Sequence, residues 1–148
     1  MNPFELDPRL AADSDLLANG PLSQLRVMDD TRFPWLLLVP RQTAAIEMID
    51  LADSDQQTLL EEIRSAAGVL RSSFRCDKLN IGLLGNIVAQ LHVHVIARTR
   101  GDECWPGPVW GAGVVRKADA GTRAERVLSL RGRLSQGLWR IPADGDPS

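Results

Sequence analysis

Between residues 22 and 40 the apolar and polar positions follow two rhythms. In "LSQLRVM" (22–28), Leu22, Gln24 and Arg26 alternate with Ser23, Leu25 and Val27, the period of two that predicts a strand. "WLLLVP" (35–40) is continuously apolar and closed by proline, which predicts a strand buried on both faces. "DDTRFP" between them is turn chemistry: Asp29 and Asp30 favour turn initiation, and Pro34 keeps Phe33 extended. Two strands around so short a turn predict an antiparallel hairpin.

The rhythm then changes to threes and fours. Residues 46–51 predict one short turn. A longer helix starts near "DSDQ", where Asp53 or Ser54 can cap it and Gln56 or Gln57 lies three positions on, as in a capping box. Leu59, Leu60, Ile63, Ala66, Ala67, Leu70 and Phe74 then mark one buried face. "DKLNIGLLG" (77–85) predicts a strand weakened by its glycines. "QLHVHVIAR" (90–98) alternates strictly, is rich in β-branched residues and has no breaker. A turn-rich stretch at 99–113 leads to a closing helix over 122–137. Thr122 and Glu125 have capping-box spacing there, Val127, Leu130 and Leu134 share a side, and Gly132 weakens the middle. Residues 1–20 read as an irregular lead-in and "PADGDPS" (142–148) as a frayed tail. These elements predict an α+β fold, an antiparallel sheet with helices packed on one face. The expectation is one domain over 1–148, with its core at 22–111.

Composition narrows the function classes. A chain of 148 residues fits the usual domain length of ~100–200 residues. The net charge is −2 and no basic stripe is present, which argues against a large nucleic-acid footprint and leaves a small phosphorylated ligand open. Cys76 and Cys104 are the only cysteines and form no CxxC, so they are expected to be reduced thiols. The start, "MNPFELDPRLAADSD", is acidic and proline-broken, unlike a signal peptide, and no apolar run nears the ~20 residues of a membrane span. The expectation is a cytoplasmic protein with no membrane partner.

The chemistry concentrates in "AQLHVHVIAR", which holds both histidines of the chain, His92 and His94. On a strand, Leu91, Val93 and Val95 point to one side, and Gln90, His92, His94 and Ile96 to the other. Same-side neighbours sit ~6.6–7 Å apart. From spacing alone three readings stay open. The pair is a polar sheet face without function. Or it binds a metal, although a zinc site wants three or four protein ligands and no carboxylate or cysteine is placed nearby by the sequence. Or one imidazole attacks an electrophile such as phosphorus while the other assists.

"QLHVHVI" resembles the signature of the histidine triad family, His-φ-His-φ-His-φ-φ with φ apolar, at six of seven positions; Gln90 stands at the first histidine. The order of elements from about Leu22 to Gly111 is similar to the family as well. The resemblance implies a nucleotide-binding hydrolase or transferase acting at a nucleotide α-phosphate, on a nucleoside phosphoramidate or dinucleoside polyphosphate. His92 would be the nucleophile, forming a covalent nucleotidyl-histidine, and His94 would stabilise the phosphate. Gln90 offers a donor and an acceptor but no acid–base help. Asn86 and Asn80 would lie near the phosphate, with Asn86 favoured, and Asp29 would hold the ribose, Asp30 being the competing register. The implied partners are a purine nucleotide or conjugate and a second copy in a homodimer. No cofactor or metal is required, and a divalent cation would accompany only a polyphosphate substrate. Gln90 keeps a second reading open, a nucleotide-binding protein with little turnover, and a histidine metal site is the third. Trp105 and Trp110 could cover a nucleotide or anchor a contact, packing being the commoner role. Arg98 and Arg100 could attract phosphate, although surface arginines usually do nothing specific.

Overall fold

The computed structural model describes residues 3–143, so the tail predicted at 142–148 lies largely outside the described residues. Five strands form one sheet: β1 (Ser14–Asn19), β2 (Ser23–Met28), β3 (Trp35–Pro40), β4 (Lys78–Gly82) and β5 (Val93–Arg98). Their order is β1-β2-β3-β5-β4, and every neighbouring pair is antiparallel. Three helices join them: α1 (Pro8–Asp13), α2 (Asp53–Ser73) and α3 (Ala120–Arg131). A single 3₁₀ turn at Met48–Asp50 occupies the short turn expected at 46–51.

Alternation sorts the sheet into two faces. On one, Leu25, Val27, Leu36, Leu38, Val93 and Val95 pack with Leu59, Ala66 and Leu70 of α2 and Leu130 of α3, forming the main core. The two long helices thus cover one face, as the α+β reading expected. The other face carries two smaller clusters. Leu37 and Val39 pack with Leu10 of α1 and Val88, while Trp35 and Ile96 pack with Phe33 and Val109. The unbroken apolar run of β3 follows directly, since both its faces are buried.

Several boundaries differ from the sequence expectation. The lead-in is a helix and a strand. Asp7 caps α1 by accepting from Arg9 N at 2.8 Å, and Pro8 sits at its first turn, where a missing N–H costs nothing. In β1 the register shifts between Leu16 and Ala18, so its burial does not alternate. Helix α2 follows Ala52, which makes no side-chain cap, and Asp53 lies inside the first turn. Its buried face includes Glu62 and leaves out Leu60, which is 62% exposed. Glu62 is fully buried because its carboxylate accepts from Leu22 N at 2.8 Å and Ser23 N at 3.0 Å, closing the β1–β2 turn. Gly20 is needed there: a Cβ would sit 2.4 Å from Glu62 Oε1. Helix α3 is capped by Asp119, not Thr122, and ends at Arg131 with Gly132 as its C-cap, short of residue 137. None of the described helices is long and apolar enough to cross a membrane.

Candidate active site

A cavity of about 610 Å³ opens on the face opposite α2. Its floor is the sheet, where His92 precedes β5 and His94 lies within it. The walls come from α1 (Leu10, Asp13), the β2–β3 turn (Asp29, Asp30, Arg32), the 84–88 loop with Asn86, and the 109–117 segment with Trp110 and Lys117. A lining that sets apolar and aromatic side chains beside imidazoles and charged groups suits a ligand with a flat ring and a charged end.

The two imidazoles are 4.9 Å apart between ring centroids, edge to face, and both are largely buried. Each has one nitrogen engaged by the protein, in opposite senses. His92 Nδ1 lies 2.7 Å from the Gln90 main-chain oxygen. A carbonyl only accepts, so Nδ1 carries a proton, and in the neutral ring the lone pair lies on Nε2. His94 Nδ1 accepts from Trp35 Nε1 at 3.0 Å. Burial first, then the neighbouring His92, push His94 down from 6.5 to about 3, so it is neutral throughout the physiological range. Trp35 and Trp110 each pack 5.5 Å from the His94 ring, and 6.5 Å from one another edge to face. Gly82, opposite His94 on β4, makes room for this cluster, since a Cβ there would meet Trp110 Cη2 at 2.9 Å.

Of the candidate residues, His92, His94, Asn86 and Asp29 line the cavity together. Asp29 is buried. Its Oδ1 accepts from Ala118 N at 2.9 Å, and Arg123 and Arg126 lie 3.4 and 3.6 Å from the carboxylate. Asp30 pairs with Arg32 at 2.7 Å. Burial works to raise the Asp30 carboxyl, but its hydrogen bonds from Arg32 outweigh it and hold the group below the usual range.

Gln90 and Asn80 do not line this cavity, although the Gln90 main-chain oxygen touches His92. The Gln90 amide is bound to the N-terminal arm: Nε2 donates to Glu5 O and Oε1 accepts from Asp7 N, both at 2.8 Å. The sheet ladder begins only at Val93, and the Gln90 amide is engaged by the arm while His92 and His94 line the cavity. Asn80 Oδ1 accepts from Arg98 Nη1 at 2.9 Å. Arg98 is itself no surface arginine. It is buried, pairs with Asp102 at 2.7 Å, donates to Gly107 O and packs under Phe33 and Trp105, bracing the turn after β5.

Sequence reading missed Trp35 as a site residue. In "WLLLVP" it looks like the first core residue of a strand. The signal was its parity with Leu37, which sits opposite His94 and so faces the same side. Leu10 and Asp13 were missed because the lead-in was not given a structure. Among the described residues, no group of three or more His, Cys, Asp or Glu is placed to hold a metal ion.

Fold and site together define a histidine-triad type of domain, with two neighbouring imidazoles at the start of β5 in an open antiparallel sheet. Residues 9–101 match the HIT domain family, and the chain belongs to that family. Three solved histidine triad proteins are similar to it over nearly their whole lengths. One from Bradyrhizobium japonicum is 42% identical, with a TM-score of 0.85, covering 90% of this chain and 100% of its own. One from Sinorhizobium meliloti is 42% identical at 0.84, covering 88% and 97%. One from Marinobacter aquaeolei is 38% identical at 0.87, covering 91% and 98%. A comparison with curated proteins finds no match.

Proposed function

We propose that this protein cleaves a nucleotide conjugate at the α-phosphate through a covalent nucleotidyl-His92, with a nucleoside phosphoramidate or dinucleoside polyphosphate as substrate. The observation that carries this reading is the bond from His92 Nδ1 to the main-chain carbonyl of Gln90, which leaves the lone pair of the neutral ring on Nε2 beside a cavity of nucleotide size. In the first step that lone pair forms an N–P bond while the bond from phosphorus to the leaving group breaks, its electron pair going with the leaving group, whose nitrogen, in a phosphoramidate, takes up a proton from solvent. The Nδ1 proton stays on His92, held by Gln90 O. In the second, water attacks phosphorus, the N–P pair returns to Nε2, and the water proton passes to solvent. Two displacements replace one harder one. His94 offers an Nε2–H to a phosphoryl oxygen where charge builds. Asn86 and Asp29 contact phosphate and ribose in this scheme. No resident cofactor takes part, and a divalent cation would arrive only with a polyphosphate.

Gln90 stands, in this reading, where the family's first histidine would, and acts through its main chain on His92 and through its amide on the arm. A homodimer is part of the proposal: β4 is an edge strand, and Ile81, Leu83 and Leu84 on and just beyond it are exposed, an unusual state for a free sheet edge. The second reading, a nucleotide-binding protein with little turnover, draws on Gln90, which cannot exchange protons. Wild type and His92→Ala are each mixed with an adenosine phosphoramidate and AMP release is followed. Release by wild type and loss of at least ~10³-fold in the variant support the enzyme. Binding of AMP with no release above the variant supports the binding protein.

A further inference from the structure

Two tryptophans enclose His94, and one of them decides which of its nitrogens carries the proton. An indole N–H can only donate. With Trp35 Nε1 donating to His94 Nδ1 at 3.0 Å, that nitrogen must keep its lone pair, and the ring proton sits on Nε2. An imidazolium would set two N–H groups head to head. The geometry points to Trp35 as a positioning residue that locks His94 as a neutral Nε2–H donor, so that His94 serves the phosphoryl oxygens by hydrogen bonding and does not shuttle protons during turnover. This rests on the proposed phosphate chemistry for what the donor meets, while the lock itself is a property of the free protein.

The surroundings of His94 fit the assignment. From β3 it faces Trp35 and Leu37, from β4 Gly82, and along its own segment His92 and Ile96. The 109–117 segment supplies Trp110 and Lys117, α1 supplies Asp13, and the β2–β3 turn supplies Asp29, Asp30 and Arg32. Each of these charged groups has its own partner: Asp13 with Lys117, Asp29 with Ala118 N and Arg123, Asp30 with Arg32. The opposed tautomers also divide the work. His92 presents a lone pair and His94 a proton, which an acid–base pair exchanging one proton would not maintain.

The test uses the substrate-free protein. The chain has only two histidines, so ¹⁵N spectra of imidazole-labelled protein resolve both rings. His92 is expected to show a protonated Nδ1 and His94 a protonated Nε2. A scalar coupling across the hydrogen bond should link Trp35 Nε1 to His94 Nδ1, and His94 should not titrate between pH 8 and about 4. In Trp35→Phe, His94 should sample both tautomers and titrate nearer its ordinary value. In that variant kcat for the phosphoramidate should fall about 2- to 12-fold, the worth of one ordinary hydrogen bond, with KM nearly unchanged and a new acidic inflection in the rate profile. A wild-type His94 protonated on Nδ1, or titrating near neutrality, overturns the lock even if Trp35→Phe fails to fold. Loss of AMP release with the tautomers as stated would count against the phosphate chemistry alone.

Discussion

Replacing Gln90 by Ala separates the arm-latching role from a catalytic one. The Gln90 amide makes two hydrogen bonds to the arm, to Glu5 O and from Asp7 N, both 2.8 Å. Each neutral bond of this kind contributes roughly 0.5–1.5 kcal/mol, so Gln90→Ala removes about 1–3 kcal/mol of arm docking. That corresponds to a rise of roughly 5- to 150-fold in the fraction of open arm. The arm keeps its other attachments, Arg9 Nη1 to Ile87 O at 2.9 Å and the packing of Phe4, Leu6 and Leu10 on Leu37, Val39 and Val88. The arm should therefore open locally without unfolding the sheet. Amide exchange over residues 5–13 should accelerate by that factor, while amides of β3 stay near wild type. Leu10 and Asp13 form part of the cavity wall, so KM should rise more than kcat falls. The latch reasoning is refuted if exchange in the arm is unchanged, or if kcat collapses with the arm still protected.

Other perturbations follow from single contacts. Glu62→Ala leaves Leu22 N and Ser23 N without their acceptor and should lower unfolding stability by about 2–4 kcal/mol in urea melts, with little change in activity per folded molecule. Arg98→Ala leaves Asp102 buried and unpaired and should cost about 3 kcal/mol by the same assay. Gly82→Ala must displace the Trp110 ring and should weaken AMP binding, read from tryptophan fluorescence; unchanged emission and affinity would contradict the packing described. On acidification, the unfolded chain binds a proton at His94 near 6.5 while the folded ring resists until about 3, so stability should decline as pH falls through that window. Asp30 and Asp102, both held low by arginines, contribute stability above the ordinary carboxylate value of 3.8 that is lost as pH falls through their lower folded values. A stability flat from pH 7 to 4 would contradict the state assigned to His94.

The parts of this molecule legible from its sequence are those where local pattern and tertiary role agree. The strands β2, β3 and β5 and the helix α2 declare themselves because burial on one or both faces repeats at period two or near four. The histidine pair was legible for the same reason: strand parity put His92 and His94 opposite Val93 and Val95, where they are. What failed depends on partners distant in sequence. Glu62 reads as a solvent residue until the β1–β2 turn 40 positions away needs an acceptor. Gln90 reads as the next member of a polar row, but Glu5 and Asp7, more than 80 residues earlier, draw its amide elsewhere. Asn80 and Arg98 form one such tie across adjacent strands, and β1 hid behind a register shift that broke its alternation.

Everything proposed for the chemistry depends on Nε2 of His92 being free to bond phosphorus. The most direct measurement is mass spectrometry of protein quenched within one turnover of an adenosine phosphoramidate pulse. The account predicts an acid-labile adenylyl adduct on the peptide containing His92, absent from His92→Ala and present, in lower yield, in Trp35→Phe. AMP release without any adduct on that peptide, or an adduct carried by His94 instead, would contradict it.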